Sequence, residues 1–265
     1  MIDELRVEPG RPAALATRDP RATFGLDKAA GKAKLRELVE RLAMLQQRLY
    51  AENERSLLLV LQGLDASGKD GVIRKVFTGV NPQGCRVVSF KAPTSTELAH
   101  DFLWRIHAAL PERGQIGIFN RSHYEDIVTV RMRGLAPEKV WKRRPRDVNE
   151  FERMLTDEGT TIVKVFLNVS KEEQAQRFRE RIADPEKRWK FRKADLETHE
   201  GFDEYLSAYD EAIEATSTSW APWHVVPSDR NWIKSLAVAA LVVDALERMD
   251  PKLPEPEPGI EHLEI

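Results

Sequence analysis

The segment GLDASGKDG, residues 63–71, sets Gly63 and Gly68 around four residues and follows the second glycine with Lys69. Glycines at that spacing let main-chain amides approach an oligophosphate, and the lysine places a point charge on its terminal groups. The amides of Ala66, Ser67, Gly68 and Lys69 are the candidate phosphate donors. Two acids are out of place in such a loop. Asp70 stands where Ser or Thr ordinarily follows the lysine, and an acid there suits the first turn of a helix. Asp65 lies inside the loop. A carboxylate beside phosphate is tolerable only with a cation between them, which makes Asp65 a candidate Mg²⁺ ligand. The alternative is an Asp that only shapes the turn.

A second cluster, NRSHYED at 120–126, follows the apolar run QIGIF. In P-loop enzymes the strand beside the loop delivers an Asp that supports the metal. Asn120 holds that place here, so Glu125 or Asp126 must balance the metal charge. Arg121 offers a planar donor fork for phosphate oxygens, or alternatively a surface ion pair. Two basic runs complete the set. RMRGLAPEKVWKRRPR, residues 131–146, holds seven basic residues and one acid, and RFRERIADPEKRWKFRK, residues 177–193, is similarly rich. Arg177 and Arg181 are one helical turn apart, with Arg188 beyond, and can close over transferring phosphates. Solvated helix faces are the other account of such runs. The six histidines show no metal-ligand spacing, and Cys85 has no base near it in sequence.

These residues need a scaffold that ends strands at one edge. SLLLVLQ (56–62) reads as a central strand buried on both faces. RVVSF (86–90), QIGIF (115–119), TIVKVFLNV (161–169) and WHVVP (223–227) supply four more strands. Residues 29–53 carry leucines at helical spacing, and GKDGVIRKVF opens a helix directly from the loop. STELAHDFLWRIHAAL (95–110) reads as one helix with Ser95 as N-cap, and residues 231–249 close the domain. Strands alternating with helices predict an α/β fold with a mainly parallel central sheet. Residues 1–28 read as an irregular arm and 29–250 as one domain with a lid within about 131–200. Residues 251–265 read as a loose Pro- and acid-rich tail.

The 265 residues carry a formal net charge of −2, which argues against a dedicated nucleic-acid binder. MIDELRVEPG lacks the pattern of a signal peptide, and LAVAALVV (236–243) is too short to span a bilayer. The expectation is a cytoplasmic protein with no membrane partner.

In order along the chain, GLDASGKDG, VNPQGCRVVSFKAPT, GQIGIFNRSHYED, PEKVWKRR, RFRERIADPEKRWKF and TSTSWAPWHVVPSDRNW resemble the type-2 polyphosphate kinases. The resemblance runs from about residue 24 to 250. It implies a P-loop kinase-like three-layer sandwich with a helical lid. It also implies phosphoryl transfer between inorganic polyphosphate and AMP, ADP or ATP, with Mg²⁺ (or Mn²⁺) as cofactor. The family's catalytic positions fall on Asp65, Lys69, Arg121 and Arg181. Many members have Asp where this chain has Asn120, and Asn where it has Glu125. That exchange resembles the subgroup that accepts both AMP and ADP, with Glu125 keeping one acid near the metal. The resemblance makes Arg74, Lys75, Lys91, Arg131 and Arg133 polyphosphate contacts and implies a homo-oligomer, dimer or tetramer. The same loop also suits an ATP-dependent nucleoside or nucleotide kinase, or a non-catalytic sensor of nucleotides and polyanions.

Overall fold

The computed structural model describes residues 1–263. Six strands form one sheet: β1 (Arg6–Val7), β2 (Ser56–Gln62), β3 (Cys85–Ser89), β4 (Ile116–Asn120), β5 (Thr160–Asn168) and β6 (Trp223–Pro227). Their spatial order is β1-β6-β5-β2-β4-β3, and every pairing is parallel except β1 with β6. β2 sits centrally and is buried along its whole length, as its unbroken apolar sequence requires.

The alternation of β2 divides the core. Leu57, Leu59 and Leu61 face the helices Lys28–Glu52, Lys69–Val76 and Asn231–Met249. Leu58 and Val60 face the helices Arg144–Asp157 and Phe202–Thr216. The result is three layers, helix on sheet on helix. Gly31 lets two helices meet, since a Cβ there would collide with the Trp232 ring. No helix among the described residues is long and apolar enough to cross a membrane.

Two elements differ from the sequence reading. Residues 95–110 are not one helix but two short turns, Ser95–Leu98 and Trp104–His107. Thr94, not Ser95, is the cap, forming a reciprocal capping box with Glu97. The break follows from Asp101, whose side chain accepts from Leu103 N (2.9 Å) and starts a new turn. The first 28 residues, read as an irregular arm, supply a turn of helix and the antiparallel edge strand β1, and bury Leu5, Val7, Ala13 and Leu15. A two-residue strand leaves no periodicity to read. Of the tail, residues 252–260 are exposed, while Glu264 and Ile265 lie outside the described residues.

Candidate active site

Parallel pairing brings the carboxyl ends of β2, β4 and β5 level, with Leu61 opposite Asn120 and Gln62 opposite Phe166. Ligands of open α/β sheets bind at that edge. The loop that leaves β2 is shaped by three residues in the left-handed region: Gly63 (φ 144°), Ala66 (φ 64°) and Gly68 (φ 99°). A Cβ on Gly63 would lie 2.8 Å from both Leu167 O and Ser67 Oγ, and one on Gly68 would collide with Lys234 Nζ.

The carbonyls of this loop are held from outside. Gln174 Nε2 donates to Asp65 O (2.9 Å), and Arg177 Nη1 donates to Ala66 O (2.8 Å) and Ser67 O (3.1 Å). Ser228 Oγ (2.5 Å) and Lys234 Nζ (2.9 Å) also donate to Ser67 O. A trans peptide points its N–H opposite to its carbonyl. Anchoring Asp65 O and Ser67 O therefore turns the Ala66 and Gly68 amides toward the space a phosphate would fill. Ser67 departs from expectation, because its amide is closed onto Leu64 O (3.0 Å).

Lys69 is buried, and its ammonium donates to Gly63 O (2.6 Å). Burial, then the nearby Arg121 charge, lowers its pKa to about 8 against the pull of Asp65 and Glu125. Arg121, itself at φ 62°, pairs through Nη2 with Asp65 and through Nη1 with Glu125 (3.5 Å). Glu125 also accepts from Thr129 Oγ1 (2.7 Å). The Gln62 amide, oriented so that both its ends are satisfied, donates to Glu125 Oε1 (3.0 Å) and accepts from Ser122. Tyr209 OH reaches the same oxygen (3.4 Å). The turn that presents Glu125 is fixed from behind, since His123 Nε2 (3.1 Å) and Tyr124 OH (2.7 Å) both contact Glu152 Oε1. Buried Lys164 joins Glu152 (2.6 Å), Tyr124 OH (3.0 Å) and Thr216 O (2.6 Å).

The two unexpected residues meet: Asn120 Nδ2 donates to Asp70 Oδ1 (2.7 Å), and Lys190 Nζ lies 3.9 Å from Asp70. Asp126 belongs elsewhere, paired with Arg105 (3.3 Å) and Arg144 (3.5 Å). Asp65 and Glu125 together offer hard oxygen donors on one guanidinium. Among the described residues no three acids, histidines or cysteines gather as a complete metal cage. That combination fits Mg²⁺, which binds through one or two carboxylates and fills its shell with water and substrate phosphates.

The basic residues divide sharply. Arg177 spends all five N–H donors, on Glu173, Ala66, Ser67, Ser228 and Asp229. It braces the loop and has no donor left for phosphate, contrary to the sequence reading. Arg131 is held by Glu211 (2.5 and 3.1 Å) over the Trp141 ring, so it too departs from the expected free polyanion contact. Arg181 lies over the Phe178 ring, and burial holds the Asp195 carboxyl above the usual carboxylate range against the nearby Arg181 and Arg121 charges. Arg74, Lys91 and Arg133 are exposed. Lys75, with Lys28, Lys32, Arg230, Asn231 and Trp232, lines a cavity of about 430 Å³. No acid lines it, and none of its four cations is in an ion pair among the described residues. The cavity adjoins the loop, because Asn231 Oδ1 accepts from Lys234 Nζ (3.0 Å), which also holds Ser67 O.

Lys234, Gln174, Gln62, Tyr209 and two of the cavity lysines, Lys28 and Lys32, were not foreseen from sequence, whereas Lys75 was. Lys234 left one signal, a lone charge in the mostly apolar NWIKSLAVAALVV. Burial, then the nearby Arg177 and Lys75 charges, lowers its pKa to about 7.

A phosphate loop opening from a central parallel strand, a buried loop lysine and an arginine shared by two carboxylates define a P-loop phosphotransferase. The chain matches the polyphosphate kinase 2 family over residues 25–254 and belongs to it. It is 50% identical over 266 residues to the AMP/ADP-polyphosphate phosphotransferase of Meiothermus ruber, covering 100% of both chains. It is 47% identical to the ADP-polyphosphate phosphotransferase of Rhodopseudomonas palustris over 85% of this chain and 82% of that one. The crystal structure of polyphosphate kinase 2 from Arthrobacter aurescens TC1 superposes with a TM-score of 0.93 at 43% identity, covering 98% of this chain and 93% of that one. The protein is therefore a polyphosphate-dependent nucleotide kinase, and a divalent metal ion belongs to that chemistry.

Proposed function

We propose that this enzyme moves the terminal phosphoryl group of inorganic polyphosphate onto AMP and onto ADP, with Mg²⁺ as its metal and Mn²⁺ able to replace it. The observation that carries this reading is the convergence of Asp65 and Glu125, from two different strand ends, on the one guanidinium of Arg121 beside Lys69. A donor and an acceptor that are both polyanions bring more negative charge than one nucleotide does. Bound Mg²⁺ would neutralise part of that charge and polarise the transferring group. Asp65 and Glu125 would hold it. Arg121 and Lys69 stabilise the equatorial oxygens, and Arg181 approaches from the helical lid within 131–200. No protein nucleophile is needed, because an acceptor phosphate oxygen attacks directly.

The acid-free cavity of Lys28, Lys32, Lys75 and Arg230 supports a linear polyanion as donor, with Arg74, Lys91 and Arg133 as outlying contacts. The pairing of Asn at position 120 with Glu at position 125 supports both acceptors, as does the Meiothermus ruber relative whose name carries AMP and ADP. A cytoplasmic homo-oligomer is part of the proposal.

Purified protein given AMP or ADP with polyphosphate and Mg²⁺ should form ADP and ATP, read by anion-exchange chromatography. Product from ATP and AMP but none from polyphosphate would make it an ordinary nucleotide kinase. Binding of both ligands without product would make it a sensor.

A further inference from the structure

Asp65 has its backbone carbonyl held by one side chain, Gln174, through Nε2 (2.9 Å). Gln174 is fully buried on the helix Lys171–Ala183. Its other end, Oε1, accepts from His199 Nδ1 (2.7 Å). Because Oε1 can only accept, His199 carries the proton on Nδ1. His199 belongs to the helix Lys193–Glu200, and its ring also meets Phe178 edge-on at 6.2 Å. The same short helix carries Asp195, whose carboxyl feels Asp65, Arg181 and Arg121. A planar amide with a bond at each end couples its two partners. If the helix moves away, Oε1 is left buried without a donor, which costs about 1–3 kcal/mol unless the amide reorients and releases Asp65 O.

We propose that Gln174 is a positioning residue that couples the helix Lys193–Glu200 to the aim of Asp65, through the sequence His199–Gln174–Asp65 carbonyl. Closing of that helix and orientation of the loop carboxylate are then one event, and the loop is fully formed only with the helix in place. The inference rests on the reading of Asp65 as a metal carboxylate.

The test uses the full chain with Gln174→Met, which keeps the volume and removes both bonds, His199→Phe, which keeps a ring against Phe178, and the double variant. Hydrogen exchange of the substrate-free protein is followed at residues 63–68 and 193–200, and Mn²⁺ affinity by electron paramagnetic resonance. Each single variant should raise exchange in both segments and weaken Mn²⁺ binding by about 10- to 100-fold. It should lower kcat with little change in KM for polyphosphate. The double variant should be no worse than the weaker single one, because either change cuts the same connection. Exchange raised in only one of the two segments, unchanged Mn²⁺ affinity, or additive losses would overturn the proposal. If Gln174→Met does not fold, His199→Phe decides alone, by whether residues 63–68 loosen. If the wild-type protein transfers no phosphoryl group, the functional reading fails, while the exchange measurement still decides the coupling.

Discussion

Asp65 reaches Arg121 across 56 residues of sequence, whereas Glu125 meets it from four residues on, so only the first contact needs the tertiary fold. Asp65→Asn should lower kcat by about 10²- to 10³-fold, the size typical for loss of one preorganised electrostatic contact. Thermal unfolding should scarcely change, since the side chain is partly open. Lys234 gives a pH signature in stability. Its folded pKa of about 7 lies below the ordinary lysine value of 10.5. Between those values the unfolded chain binds more protons, so stability should rise as pH climbs from about 7 toward 10. Lys234→Met should flatten that rise, measured by urea unfolding at stepped pH. Lys69, at about 8, adds to the same rise above pH 8 and also acts on catalysis: kcat/KM of the free enzyme should fall on the alkaline side. Residue identity revealed the phosphate loop and the acid inside it. It did not reveal that Arg177 faces carbonyls rather than phosphate, because four of its five donors go to residues 50 or more positions away. The pairing of Asn120 with Asp70 was hidden in the same way. Two separate oddities in the sequence are one hydrogen bond in space.

At the level of elements, the parallel strands were legible because each is a short apolar run closed by turn residues, and β2 emerges with the expected bounds. The 95–110 segment was not, since Asp101 redirects its own backbone within a pattern that still looks helical. Helix Arg144–Asp157 has a role that composition concealed. Its Glu152 and the β5 residue Lys164 form a buried ion pair under the turn that carries Glu125. Removing one member leaves the other charge uncompensated, so Lys164→Met should cost about 3–5 kcal/mol. Lys164→Met with Glu152→Leu should recover part of that loss in denaturant unfolding. Its activity should stay low, because His123 and Tyr124 would lose their common anchor.

The whole molecule is nearly neutral, yet four cations with no ion pair among the described residues line one cavity beside the phosphate loop, while Arg131, Arg143 and Arg146 are matched by acids. Lys28→Ala with Lys32→Ala should raise KM for long polyphosphate severalfold and make log KM less steep against log salt, with a smaller change for short chains. Net charge concealed this, because an average over the chain says nothing about where charges lie. One further consequence concerns synthesis. β1, at residues 6 and 7, pairs only with β6, at residues 223 and 224. β1 therefore leaves the ribosome more than 200 residues before its partner, with Leu5, Val7, Ala13 and Leu15 uncovered meanwhile. The amino-terminal segment should dock as a late step of maturation, and a bulky fusion placed directly before Met1 should slow that step more than the same fusion after Ile265.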